Sequence, residues 1–258
     1  MNRINRCFED NKKKLITFSV INDPDYTTSI DVISSMIENG ADIVELGIPF
    51  SDPVAEGPVI QKANERALAS GFCIQRAFEF VCDIRKRYDT PLLFLTYFNI
   101  IYRYGIEDFI SKCKEISLDG LIVPDLPYEQ QYELKSFAKE KNINVISLVS
   151  LTSKDRIARI AQEADEFIYC VSSMGVTGQR SDFDDDIFIL SKELTSLTNK
   201  RKAVGFGIKS PDQVSLFRDH FDGVIVGSAF SSICESGGMK NAPAMIGAFT
   251  KSMKKNLL

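Results

Sequence analysis

Short apolar runs of strand length alternate along this chain with longer stretches whose apolar residues recur every three or four positions. The runs fall at 15–21 (LITFSVI), 42–48 (DIVELGI), 91–97 (PLLFLTY), 120–123, 144–150, 167–172, 203–206 and 223–226. Between them, helical spacing predicts helices over 28–39, 57–69, 74–88, 106–116, 128–139, 153–162, 187–197 and 211–217. In the first of these Ile30, Ile33 and Ile37 share one face and Gly40 stops the element. Ile4, Cys7 and Phe8 place a short extra helix within 1–11, and helices at 227–235 and 243–254 close the chain. Eight strands, each followed by a helix, in 258 residues predict an α/β fold, a (β/α)8 TIM barrel with an extra N-terminal helix. One barrel domain over 1–258 is expected, since no low-complexity linker divides the chain. A doubly wound sheet would need a Gly-rich turn after the first strand, where Asn22-Asp23-Pro24 stands instead.

Composition narrows the function. A hydrophobic content of 44% and a charged content of 26% suit a soluble globular protein with a full core. The net charge of −4 argues against a nucleic-acid partner, because binding phosphate at scale needs a basic surface. The lysines at 12–14 and 251–255 read as solvated helix ends. The six cysteines lack paired metal-site spacing and read as reduced thiols. No apolar run approaches the ~20 residues of a membrane span, and the N-terminus has no signal-peptide core, so a cytoplasmic location is expected.

The chemistry concentrates after the second strand. Glu45 sits in the middle of an apolar run, where an ionised carboxylate is costly to bury. It is therefore either satisfied by hydroxyls or a cation, or held neutral with a raised pKa, as proton transfer near neutrality requires. The following loop adds Asp52 and Glu56 among Pro49, Pro53, Gly57 and Pro58. Barrel active sites lie at the C-terminal strand ends, and Phe18, Glu45, Tyr97, Asn99, Asp125 and Tyr169 all fall within or just past strands. The only histidine, His220, precedes the eighth strand and belongs to the opposite face. No His or Cys cluster offers a transition-metal site there, while a carboxylate-only Mg²⁺ site stays open. Lys209 reads as a solvated loop lysine. Gly205-Phe206-Gly207-Ile208 leaves the seventh strand, and Gly227-Ser228-Ala229 leaves the eighth directly into a helix. These loops make the usual phosphate site of the fold, to which Gly175-Val176-Thr177-Gly178 after the sixth strand can add donors. Ser210-Pro211-Asp212-Gln213 reads as a helix start with a capping box.

ELGIPFSDPVAEGPVIQ (45–61), GVTG (175–178), GFGI (205–208) and GSA (227–229) closely resemble the tryptophan synthase α subunit, in order and spacing, over nearly the whole chain. The resemblance implies retro-aldol cleavage of indole-3-glycerol phosphate to indole and glyceraldehyde 3-phosphate. It makes Glu45 the general acid/base and gives Glu56 the position of the second carboxylate, which holds the indole N–H. It lines the indole pocket with Phe18, Leu95, Tyr97 and Tyr169, adds Thr177 as a substrate-binding loop residue, and puts the phosphate on Gly178, Gly207, Gly227 and Ser228. The implied partner is a β subunit in an αββα complex, with pyridoxal phosphate only on β and no cofactor on this chain.

Three sites depart from the family pattern. Glu56 stands where Asp is usual, which moves the carboxylate by about an ångström, enough to cost up to ~100-fold in rate. Asn22 replaces a glycine, and Ser173-Met174 replaces an Arg-Ala pair. The expectation is a working or somewhat slow lyase. A second reading is an α-like subunit with weak or no lysis that binds and activates β. A third, another phosphate-binding barrel enzyme, lacks the strand-end Lys, His or metal ligands such enzymes use.

Overall fold

The computed structural model describes residues 2–171, 186–205 and 207–258. In chain order it runs α1 (Arg3–Phe8), β1 (Lys14–Val20), α2 (Tyr26–Glu38), β2 (Ile43–Gly47), α3 (Pro58–Ala69), α4 (Ile74–Arg85), β3 (Leu92–Leu95), α5 (Phe98–Tyr104), α6 (Ile106–Glu115), β4 (Gly120–Ile122), α7 (Tyr132–Glu140), β5 (Asn144–Val145), β6 (Ser147–Ser150), α8 (Ile157–Glu163), β7 (Phe167–Val171), α9 (Asp186–Leu197), β8 (Arg201–Gly205), α10 (Pro211–Phe217), β9 (Gly223–Val226) and α11 (Ser228–Leu257). The strands form one parallel sheet in the order β5-β4-β3-β2-β1-β9-β8-β7-β6. β5 pairs with β4 and β6 with β7, so the two short strands are the halves of the expected fifth strand, interrupted at Ile146. The Ile146 amide donates to the Leu121 carbonyl at 2.9 Å, and the sheet is thereby nearly closed into the (β/α)8 barrel.

Alternation along each strand sorts the core into two layers. Ile16, Ile43, Leu93, Ile122, Ile146, Phe167, Ala203 and Ile225 meet inside the barrel. Ile4 and Phe8 of α1 join them, with the Phe8 ring 6.1 Å from that of Phe167, so the extra helix closes the N-terminal end. The intervening residues, among them Val44, Leu46, Phe94, Val204 and Val224, pack outward on the helices. No helix among the described residues is long and apolar enough to cross a membrane.

The N-terminal end is tied by a buried carboxylate. Asp119 accepts from the Leu92 amide at 2.9 Å and from Arg3 at 3.1 Å, and it also pairs with Arg85. Removing it strands the largely buried Arg85 guanidinium without a counter-charge, so Asp119→Ala is expected to cost about 3–5 kcal/mol in urea unfolding. A loss under about 1 kcal/mol would mean that this cluster is solvated and contributes little.

Two helices differ from the sequence reading. The apolar pattern predicts no helix at α5; its first amide, that of Phe98, donates to the Asp125 carboxylate at 2.9 Å across 27 residues of chain. The two expected closing helices are one, with Pro243 inside it. Packing on α2 holds it through the proline, since Ser35 Oγ donates to the Pro243 carbonyl at 2.6 Å. Elsewhere local signals hold. Asn2 and Asp25 cap α1 and α2, and the Ser210–Gln213 capping box starts α10.

Candidate active site

Glu45 occupies the centre of β2, on the inward face it shares with Ile43, and is fully buried. Its strand neighbours in register are Phe18 of β1 and Leu93 of β3. Neither carboxylate oxygen has a hydrogen-bond partner among the described residues, so no described hydroxyl or cation satisfies it. Burial alone pushes its pKa from 4.5 up to about 8. At neutral pH it is a neutral acid in an apolar barrel, able to give a proton and then take one back.

The aromatic walls stand around it. Phe18 lies over Gly47, where an added Cβ would come 2.7 Å from the ring, and also against Gly227 at 3.1 Å. Leu95, paired in register with Gly47, packs with both Phe18 and the barrel interior. Tyr169 of β7 reaches toward β8, where a Cβ at Gly205 would stand 2.6 Å from its hydroxyl. Small residues at these strand ends are what leave room for the rings. Burial first, then the charges of Glu45 and Glu56, push the Tyr169 phenol well above its ordinary value, so it remains an uncharged wall.

Glu56 stands in the loop between β2 and α3 and takes a hydrogen bond from the Tyr97 hydroxyl. Burial raises its pKa, while the Tyr97 bond and backbone amides pull the other way. Tyr97, just past β3 and 3% exposed, stacks on Phe50 with ring centroids 4.8 Å apart. The loop is further held by Asn64, buried on α3, whose Oδ1 accepts from the Phe50 amide at 3.1 Å. Sequence reasoning passed over Asn64. Its one signal is a polar residue between Ala63 and Ala67 on the buried face of α3. Asn99 and Asp125, also candidates for the mouth, are exposed, one on α5 and the other serving as its cap.

The glycine loops gather at the same end. Gly205 pairs in register with Ile225, which brings the β8 and β9 loops side by side. Gly207 has φ +62°, a conformation open to glycine at little cost. Gly227 is the N-cap of α11, and no side chain caps this helix. The Ser228 and Ala229 amides therefore have no acceptor within the helix, which with the helix dipole makes an anion-binding end. Thr177, Gly178 and the Ser173-Met174 departure lie outside the described residues. Asn22, the other departure, has φ +70°, a region natural to glycine and tolerated by asparagine. Its amide group donates to the Ala67 carbonyl at 3.1 Å and to Ser70. His220 lies on the far side, just before β9, with its ring 4.7 Å from Phe188.

Comparison with known proteins gives one answer by three routes. The profile of the family described as "Tryptophan synthase alpha chain" matches residues 4–257. The tryptophan synthase alpha chain of Thermoanaerobacter sp. (strain X514) is 42% identical over 262 residues, spanning 100% of both chains. That of Lacticaseibacillus casei is 43% identical over 244 residues, covering 95% of this chain and 91% of the relative. Among solved structures, the alpha subunit from Legionella pneumophila str. Paris superposes with a TM-score of 0.90 at 31% identity, over 100% of this chain and 98% of that one. A chain of the tryptophan synthase complex from Pyrococcus furiosus gives a TM-score of 0.86 at 31% identity, over 94% and 98%. With the barrel, the buried carboxylate and the glycine-bearing strand ends already in place, this full-length similarity shows that the chain belongs to the tryptophan synthase alpha chain family, the lyases that cleave indole-3-glycerol phosphate.

Proposed function

We propose that the family's reaction runs here on Glu45, within one barrel domain over residues 1–258. The neutral Glu45 carboxyl donates its proton to indole C3, and positive charge develops on the ring nitrogen. The carboxylate so formed takes the proton from the hydroxyl on the adjoining side-chain carbon. The bond between that carbon and C3 breaks, its electron pair returns to the indole ring, and the hydroxyl oxygen becomes the aldehyde oxygen of glyceraldehyde 3-phosphate. Glu45 ends protonated, ready for the next turnover, and the step needs no cofactor on this chain. Ionised Glu56 accepts the indole N–H as charge builds. Phe18, Leu95, Tyr97 and Tyr169 enclose the indole, Thr177 binds the substrate, and Gly178, Gly207, Gly227 and Ser228 take the phosphate. The β subunit is the partner in an αββα assembly of the cytoplasm, with pyridoxal phosphate confined to β.

The observation that carries this reading is the fully buried Glu45 carboxyl, without a hydrogen-bond partner among the described residues and with its pKa raised to about 8. A structural carboxylate would be hydrogen-bonded or paired. The test is indole release from indole-3-glycerol phosphate, with and without a β subunit, for wild type and Glu56→Asp. Wild type is expected to turn over in both settings, and Glu56→Asp to match or exceed it. A wild type dead alone and with β, in which Glu56→Asp restores lysis, would make the chain an activator of β instead.

A further inference from the structure

Glu56 is one methylene longer than the usual residue at its position, and the structure shows what its carboxylate is fastened to. A tyrosine hydroxyl has one proton to give and two lone pairs to fill. Both lone pairs of Tyr97 Oη are occupied from the loop, by the Val54 amide at 2.9 Å and the Ala55 amide at 3.0 Å. The one remaining proton goes to Glu56 Oε2. Donor and acceptor cannot trade places, because the amides have nothing to accept with. The phenol is itself anchored. Its ring stacks on Phe50, and its backbone runs from the end of β3 into α5, where Asp125 holds the next amide. Burial and the bond to Glu56 both push the phenol above its ordinary pKa, so the proton stays on the tyrosine.

We propose that Tyr97 is a positioning residue as well as a pocket wall: its hydroxyl, fixed by the Val54 and Ala55 amides, directs its only proton to Glu56 and sets where the longer carboxylate stands. The loop amides wrap the hydroxyl, and the hydroxyl takes one carboxylate oxygen. The Ala55 and Glu56 backbone amides also favour the ionised carboxylate. This rests on the reading of Glu56 as the group that accepts the indole N–H.

The test is a double-mutant cycle on indole release from indole-3-glycerol phosphate, combined with ¹³C NMR titration of the Glu56 carboxyl in the substrate-free chain. Tyr97→Phe keeps the stacked ring and removes only the hydroxyl, and thermal unfolding checks that the fold survives. In the wild-type background it is expected to lower kcat by about 10–100-fold, the scale of an ångström misplacement, with a smaller change in KM. The acid limb of the pH profile and the Glu56 titration are expected to move up together, because a bond that favours the ionised form is lost. In the Glu56→Ala background, Tyr97→Phe should change kcat less than about twofold, since it acts through a group no longer there. Equal losses in both backgrounds, or a Glu56 titration that does not move, overturn the proposal while leaving the assignment of Glu56 intact. A Glu56→Ala chain with full activity overturns that assignment, and the proposal with it.

Discussion

Glu45→Gln is expected to leave the chain more stable than the wild type at neutral pH, by about 3 kcal/mol at pH 7. The sign follows from the raised pKa, which is about 8 in the fold against an ordinary 4.5. Below about pH 4.5 the carboxyl is neutral in the folded and unfolded chains alike and contributes nothing. Between 4.5 and 8 the unfolded chain releases this proton and the folded chain does not, so stability falls as pH rises. Above about 8 both states are ionised and the loss levels off. Glutamine keeps the shape without the proton and escapes the slope. At roughly 2–4 °C per kcal/mol for a chain of this size, the variant should melt about 6–12 °C higher at pH 7 and nearly level with the wild type at pH 4.5. Thermal unfolding at the two pH values checks this. A gap that does not change with pH would mean that Glu45 is ionised in the fold, and the reading of its burial would be wrong.

The same substitution is expected to remove turnover. Glutamine can neither protonate C3 nor accept the hydroxyl proton, and both transfers pass through this one side chain. Losing a positioned acid–base group costs about 100–10,000-fold, and one that serves twice belongs at the upper end. Indole release measured with and without a β subunit should therefore fall by at least ~1,000-fold in Glu45→Gln, while the fold is intact or firmer. Gained stability beside lost activity separates a catalytic carboxyl from a structural one, whose loss would weaken the fold. Retention of more than about a tenth of the wild-type rate would assign the proton transfers elsewhere.

Most of the barrel could be read from the chain because the strands carry their own apolar runs and several helices, among them α1, α2 and α10, their own caps. What could not be read depends on residues far apart in sequence. α5 is a seven-residue helix held by Asp125 from the next loop, so no local signal marks it. α11 runs through Pro243 because α2 supports it, where local rules end a helix. The fifth strand looks continuous in sequence and breaks at Ile146 only because it must pair with different neighbours on its two halves. Within the candidate site, Glu45 was legible as a charge in an apolar strand. Whether it was satisfied there was not, since that depends on what seven other strands bring to the interior. The departure at Asn22 became intelligible only with its positive φ. The bond from Tyr97 to Glu56 depends on the path of the loop at 49–57, which composition alone does not give.

The most direct measurement is the pH dependence of kcat/KM for indole release by the wild-type chain, from about pH 5 to 10. With Glu45 as a neutral acid, the profile should rise on the acid side as Glu56 ionises, level off, and then fall about tenfold per pH unit above about 8. A rate that keeps rising through pH 8, or that stays flat to pH 10, would contradict a protonated Glu45 at the start of the reaction.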